Sequence, residues 1–311
     1  MSGVDPRAVS FWLADSRDDL TPRQPLDGST EVDVAILGAG YSGLWTALYL
    51  LRRDPSLRVT ILEREFAGFG ASGRNGAWCA PDLNISLPEL ARRFGTAAAR
   101  ATQEETYNAV EEVGRVTAEE GIDAGWHKGG QLTIARGAHQ LPSLRHDRET
   151  YERFGFGDRN QLLDAEQLAT RIRVDGALGA LFAPDCAVVH PGRLVRGLAR
   201  AVERHGGVIH EGTAVTDVRP GVPGGTLPLL RTARGDVRAR TVVLAGEAYL
   251  TQLPRLHRVL LPVYSLIVLS EPVSDADWAA IGWANRECIQ TYRLSVDYLS
   301  RTEDGRILFG G

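Results

Sequence analysis

The run from Val32 to Arg53, VDVAILGAGYSGLWTALYLLRR, limits what this chain can fold into more than any other stretch. Val32 to Leu37 reads as a buried strand. Gly38, Gly40 and Gly43 follow as a loop of little bulk, and helical spacing begins near Tyr41. That order brings backbone N–H groups together at the positive end of a helix, where they converge on a pyrophosphate. Gly38 allows the tight turn, Gly40 lets the backbone approach phosphates, and Gly43 lets the helix lie close to the strand. A second apolar strand, Val59 to Leu62, ends in Glu63, 20 residues beyond Gly43. An acid there accepts hydrogen bonds from the 2′- and 3′-hydroxyls of an adenosine ribose. Glycines crowd many turns, so the pattern alone says little; strand, loop, helix, second strand and terminal acid in this order point to a bound dinucleotide.

With 311 residues, the chain exceeds what one hydrophobic core usually spans, and two domains are expected. A net charge of −4 gives no electrostatic reason to expect nucleic acid. Cys79, Cys186 and Cys288 are widely spaced and odd in number, which predicts free thiols rather than a metal site. The longest apolar stretch, Val259 to Leu269, is broken by Pro262 and too short to span a bilayer. No basic region precedes an apolar run at the N-terminus, so a cytoplasmic protein is expected. Lys128 is the only lysine; the other cations of this class are arginines.

Residues 1–30 are polar and proline-bearing and read as an extension, with Phe11, Trp12 and Leu13 pinning it down. Glycines punctuate the loop from Arg64 to Asn84. Helical spacing runs from Leu87 to Glu120 and from Ala138 to Phe154, with strand-like alternation from Trp126 to Arg136. Asp164 and Gln167 form a capping box. A strand near Leu178 to Phe182 precedes a helix that Pro191 opens and Gly206 follows. Further strands are expected at 208–210, 213–218, 237–244, 263–269, 288–294 and 306–309.

The loop Gly70-Ala-Ser-Gly-Arg-Asn-Gly76 separates two classes of dinucleotide, because Ser72, Arg74 and Asn75 offer donors to a flavin's ribityl chain and ring edge. The segments EVDVAILGAGYSGLWTALYL, ILERE, GASGRNGAWCAP, VVHPGRLVRGLARAVERHGG, GTAVTDV, TVVLAGEAYL, LPVYSLIVLSEPV and DGRILFGG occur in this order. Together they resemble the FAD-dependent oxidoreductases of the D-amino-acid-oxidase-like family, and within it the gamma-glutamylputrescine oxidoreductase type of amine oxidase. The likeness covers nearly the whole chain from about residue 10.

The resemblance implies an α/β fold in which a Rossmann-like FAD-binding domain, 31–92 and 183–252, is interleaved with a mixed or antiparallel substrate domain, 93–182 and 253–311. It implies that Gly38, Gly40, Tyr41, Ser42 and Gly43 hold the pyrophosphate, Glu63 the ribose, and Arg64 the adenine side. Ser72, Arg74, Asn75 and Gly76 would line the flavin, Val215 would pair its backbone with the adenine edge, and Ala245 and Gly246 would pass close to the dinucleotide. Neither Ala77 nor Trp78 can form the histidyl–flavin bond of some relatives, so dissociable FAD is expected. Two departures stand out: Gly76–Ala77 replaces the family's two glycines, and relatives continue well past Gly311. The chain therefore reads as lacking a C-terminal part of the FAD domain.

The expected reaction is oxidation of the C–N bond of an amine or amino acid by hydride transfer to the flavin, with oxygen or another acceptor reoxidising it. The alternatives are a hydroxy acid, glycerol-phosphate-like or tRNA-base substrate, or a truncated FAD-binding module without catalysis. No catalytic side chain announces itself. For the substrate, Tyr264, Tyr292 and Tyr298 offer π-faces to a cationic amine, and Arg293 or Arg301 offers a carboxylate clamp. Lys128 and His190 read as structural residues.

Overall fold

The computed structural model describes residues 5–222, 224–293 and 297–311. The chain divides into two units. One comprises residues up to Asn75, Ile122–Ala124 and Pro191–Tyr264; the other comprises Gly76–Gly121, Gly125–His190 and Ser265–Gly311. The chain thus passes between units at 75/76, 121/122, 124/125, 190/191 and 264/265, where the sequence reading drew 92/93, 182/183 and 252/253. The first crossing comes early because Trp78–Cys79 pairs antiparallel with Ala187–Val188 inside the second unit.

The first unit is built on a six-stranded sheet ordered Val208–His210, Val59–Leu62, Thr30–Leu37, Gly235–Leu244, Leu229–Thr232, Val215–Arg219. The first four strands are parallel, and the last two form an antiparallel extension. The central strand is buried on both faces, with Ala35 and Ile36 sealed from solvent, which is why it reads as one apolar run rather than an alternating one. The helix Tyr41–Arg53 returns along the sheet and buries Leu44, Ala47, Leu48 and Leu51, a stripe at helical period. It packs against the helix Pro191–Arg204, which buries Leu194, Val195, Leu198 and Val202.

The N-terminal segment is fastened to this unit. Asp5 and Ser10 cap two short helices, Pro6–Val9 and Phe11–Asp15. The Ser10 hydroxyl donates to the Gly73 carbonyl at 2.6 Å, and the Trp12 indole N–H donates to that of Asn75 at 2.9 Å. Trp12 and Leu13 are buried. Further along, Arg23 donates to Glu211 from its backbone N–H at 2.8 Å and from its guanidinium at 3.0 Å. The same carboxylate accepts from the Ala67 amide at 2.9 Å and from Arg196 at 3.2 Å, and Arg196 reaches Asp18 at 3.1 Å. Glu211 is 1% exposed and Arg196 3%. One buried acid thereby joins the N-terminal segment, the loop after the second strand and the helix Pro191–Arg204.

The second unit holds a seven-stranded mixed sheet ordered Ile267–Leu269, Ile307–Gly310, Tyr298–Arg301, Cys288–Thr291, Gln131–Ala135, Gly179–Ala183, Gln161–Asp164. Its pairings are antiparallel except that of Cys288–Thr291 with Gln131–Ala135. One face carries Leu132, Ile134, Phe182 and Ile289, packed with Trp278 and Trp283 into a core. The long helical run of the sequence is two helices, Leu87–Phe94 and Thr96–Glu119, because Gly95 sits at φ +86° and ends the first. The Asp164–Gln167 capping box is present in both directions, at 2.8 and 2.9 Å. The expected strand at 263–269 begins only at Ile267, and that at 288–294 stops at Thr291, with Leu294 outside the described residues. The strands Gln161–Asp164 and Leu229–Thr232 and the helix Asp275–Ile281 were not anticipated. The architecture is α/β, with a Rossmann-like parallel sheet in one unit and a mostly antiparallel mixed sheet in the other. No helix among the described residues is long and apolar enough to cross a membrane.

Removing the Glu211 carboxylate leaves Arg196 charged, buried and short of a partner. Glu211→Ala is expected to destabilise the protein by about 3–5 kcal/mol. Chemical denaturation would check this, and a loss below ~1 kcal/mol would show that the network carries little of the fold.

Candidate cofactor site

Within the first unit, the C-terminal ends of the strands Thr30–Leu37, Val59–Leu62 and Gly235–Leu244 open into a cavity of about 420 Å³. Open parallel sheets bind ligands at this end of their strands. The glycine loop, Glu63–Arg64, Gly68–Ser72, Thr213–Thr216 and the stretch from Ala245 to Pro254 contribute to its wall.

Gly38 adopts φ +105°, and a Cβ there would lie 2.5 Å from the Ala245 carbonyl oxygen, so neither the conformation nor the space admits a side chain. At Gly43 the obstacle is contact: a Cβ would lie 2.1 Å from the Gly38 carbonyl oxygen, where the helix crosses its own entering loop. The backbone amides divide into two sets. Ala39 donates to the Glu63 carboxylate at 2.9 Å and Tyr41 to the Ser72 hydroxyl at 2.8 Å. The amides of Gly40, Ser42 and Gly43 have no protein acceptor among the described residues. Unfilled donors at the start of a helix carry partial positive charge and suit an anion.

Glu63 faces this cavity, and its second oxygen accepts from the Glu65 amide at 2.9 Å. Burial pushes its pKa up, opposed chiefly by the two backbone donors. A carboxylate oxygen has two acceptor positions, so each still has one to offer a hydroxyl. Arg64 lies with its guanidinium 5.1 Å from the centre of the Tyr249 ring, and it bonds Gln252. Val215, Ala245 and Gly246 also line the cavity.

The structure thus gathers Gly38, Gly40, Tyr41, Ser42, Glu63, Arg64, Ser72, Val215, Ala245 and Gly246 around one space. Four other candidates lie off its wall. Gly43 serves helix packing, as above. Arg74 lies 4.9 Å over the Phe69 ring and donates to the Tyr249 hydroxyl at 2.9 Å. The Asn75 amide donates to the Ala71 and Ser72 carbonyls at 3.2 and 3.1 Å. Gly76 belongs to the second unit, where the Tyr298 ring lies against it. Phe69, Thr213, Tyr249 and Leu250 line the cavity as well; nothing in their local pattern distinguishes them from ordinary packing residues.

The substrate candidates are scattered. Tyr264 is 87% exposed, on the first unit. Tyr298 is half-buried, edge-to-face with Trp78 and hydrogen-bonded to Ser265 at 3.2 Å. Arg301 stacks 4.0 Å over Trp278 and donates to the Trp283 carbonyl, which ties it to the core of the second unit. Tyr292 and Arg293 line a separate cavity in that unit. Lys128 pairs with Glu111 and with Asp185, the latter at 3.0 Å. His190 is buried at the start of the helix Pro191–Arg204. Cys79, Cys186 and Cys288 are free thiols, and burial pushes Cys79 up to about 12.

Gly43→Ala is expected to cost roughly 1–3 kcal/mol, the range for forcing an extra methyl into a packed site. Urea unfolding of the two forms measures it, and equal midpoints would mean that helix and loop have room to part.

Comparison with known proteins places the chain in a family. The description "FAD dependent oxidoreductase" (DAO) matches residues 33–311. Gamma-glutamylputrescine oxidoreductase of Escherichia coli (strain K12) is 31% identical over 305 residues, which cover 97% of this chain and 70% of that protein. "Probable oxidoreductase OrdL" of Haemophilus influenzae is 29% identical, with 97% of this chain and 70% of the relative covered. Among solved structures, the glycine oxidase of Geobacillus kaustophilus superposes with a TM-score of 0.67 at 22% identity, over 90% of this chain and 70% of that one, a likeness of fold. With its glycine loop, its acid-terminated second strand and this match along nearly its whole length, the chain belongs to the DAO family of FAD-dependent oxidoreductases.

Proposed function

We propose that this protein oxidises the C–N bond of an amine or amino acid, with FAD seated by its adenosine and pyrophosphate in the cavity of the first unit. The observation that carries the reading is the pairing of unfilled amides at Gly40, Ser42 and Gly43 with the Glu63 carboxylate on one cavity. An anion acceptor and a hydroxyl acceptor are what a nucleotide diphosphate asks of its site. The residues present therefore fit the group.

In this reading the glycine loop, Gly38 to Gly43, holds the pyrophosphate on backbone N–H groups, and Glu63 receives the ribose hydroxyls. Arg64 and the backbone at Val215 flank the adenine, and Ala245 and Gly246 give it room. Ser72 has a double part, because its hydroxyl already caps the Tyr41 amide and so fixes the loop that meets the phosphates. Arg74, Asn75 and Gly76 belong to the flavin end; Asn75 acts there by bonding within the loop and Arg74 by tying the loop to the Tyr249 hydroxyl. FAD supplies the hard chemistry, acceptance of a hydride from the carbon beside the nitrogen; the protein supplies orientation and electrostatics. Oxygen or another acceptor then takes the electrons. The amine substrate is inferred from the relatives, one named for gamma-glutamylputrescine and one a glycine oxidase. Free thiols favour a reducing compartment, in keeping with the cytoplasm.

Purified protein is expected to be yellow, and a suitable amine should bleach it in the absence of oxygen. A colourless protein that refuses added FAD would remove the proposal. Glu63→Ala strips acceptors from the ribose and from the Ala39 and Glu65 amides. Its expected signature is an FAD dissociation constant raised about 10- to 100-fold, the range for losing a hydrogen-bonded charge. Fluorescence titration of the apoprotein measures it, and an unchanged constant would take Glu63 out of the site.

A further inference from the structure

The second unit encloses a cavity of about 340 Å³, wholly within its own residues, that the FAD reading leaves unused. Its floor is one face of the mixed sheet. Gln131 and Thr133 alternate with Leu132 and Ile134, which point into the apolar core, so the two polar residues share the opposite face. Register sets Gln290 beside Thr133, and their side chains bond at 2.9 Å. Gln131 is 7% exposed, and its side-chain amide has no hydrogen-bond partner among the described residues. Its polar atoms are reachable from the cavity rather than sealed off, so they are open to a ligand there.

Two carboxylates look onto the same space, Asp82 from the loop before the helix Leu87–Phe94, and Asp147 from the helix Leu141–Arg153. Asp82 is exposed and forms no hydrogen bond or ion pair among the described residues, and partial desolvation by the protein around it pushes its pKa up. Burial raises Asp147 too, against a hydrogen bond from the Tyr292 hydroxyl and the nearby His146. Both acids act on one phenol, Tyr151, whose pKa burial and their charge push up to about 12. The cation on the wall, Arg293, is engaged by Asp297 at 3.6 Å. What remains is an acidic, aromatic-walled pocket with a spare amide.

We propose that this cavity binds a primary alkylammonium group, held by Asp82, Asp147 and the Gln131 amide oxygen, on a methylene chain that lies against its apolar wall. An ammonium has three donors and no acceptor, and these three groups supply three acceptors. Tyr151 adds a π-face, whereas that of Tyr107 is already taken by the Arg159 guanidinium, and Leu83 and Leu181 suit methylenes. A metal ion is the poorer match, because no group of three or more His, Cys, Asp or Glu side chains among the described residues can hold one. The inference rests on the amine reading above and deepens it: the preferred substrate carries a second cationic end.

The test is calorimetric binding of 1,5-diaminopentane and n-pentylamine to the FAD-loaded full-length protein, to Asp82→Asn and to Asp82→Asn/Asp147→Asn, with melting temperature and FAD content as controls of folding. The expected result is a preference for the diamine of at least about tenfold, the lower range for hydrogen bonds to a charge, falling towards one in the double variant. The single variant should fall between, and Asp82→Glu should restore the preference. No preference in the natural protein, or a preference that survives both substitutions, overturns the proposal. Flavin bleaching under the same amines reports on the reaction separately: binding that depends on the two acids without bleaching keeps the site and removes the amine-oxidising reading.

Discussion

The fully buried carboxylate of Glu211 is the constraint on which the first unit turns. A charge so placed is tolerable only when it is paired and hydrogen-bonded, and here two guanidinium groups and two backbone amides donate to it. The donors come from three stretches far apart in sequence: Arg23, Ala67 and Arg196. Ala67 is one residue before Gly68, where the cavity wall resumes, and Glu211 lies close enough to Glu63 to oppose its ionisation. The same acid therefore bonds the residue beside the cavity wall and bears on the charge of Glu63 within it. The N-terminal segment and the loop at the cavity wall are thus held by one carboxylate.

The two sheets solve different problems with different sequence textures. The parallel strands of the first unit are hidden on both faces and carry near-continuous apolar residues, so they need helices as cover. The mixed sheet of the second unit is two-faced. Leu132 and Ile134 enter a tryptophan-rich core while Gln131 and Thr133 stay on the polar side. Alternation of that kind frees one surface for chemistry without disturbing the core, and it is where the unclaimed cavity lies.

Legibility of the chain followed local physics. The first strand, glycine loop, helix and second strand could be read because each is specified within a few residues: apolar run, small residues, helical stripe, terminal acid. The capping box at Asp164 and the proline-opened helix at Pro191 were readable for the same reason. Leu229–Thr232 escaped notice because a four-residue strand holding Arg231 and Thr232 has no periodicity to betray it; its pairing with Gly235–Leu244 defines it. Arg301 read as a carboxylate clamp, yet the structure stacks it on Trp278, a neighbour 23 positions away that no local pattern discloses. Glu211 is the plainest case. Nothing beside it in the sequence marks it as buried, since all its partners are tertiary.

Lys128 has a practical consequence. It is the sole lysine side chain of this sequence, and Glu111 and Asp185 hold it protonated, with desolvation acting against them. Reagents that acylate amines need the neutral form, so they meet one lysine target and must first break two ion pairs to reach it. The arginine-rich surface stays unmodified under such reagents, and any fluorophore or cross-linker installed on a side chain this way marks a single known point of the second unit.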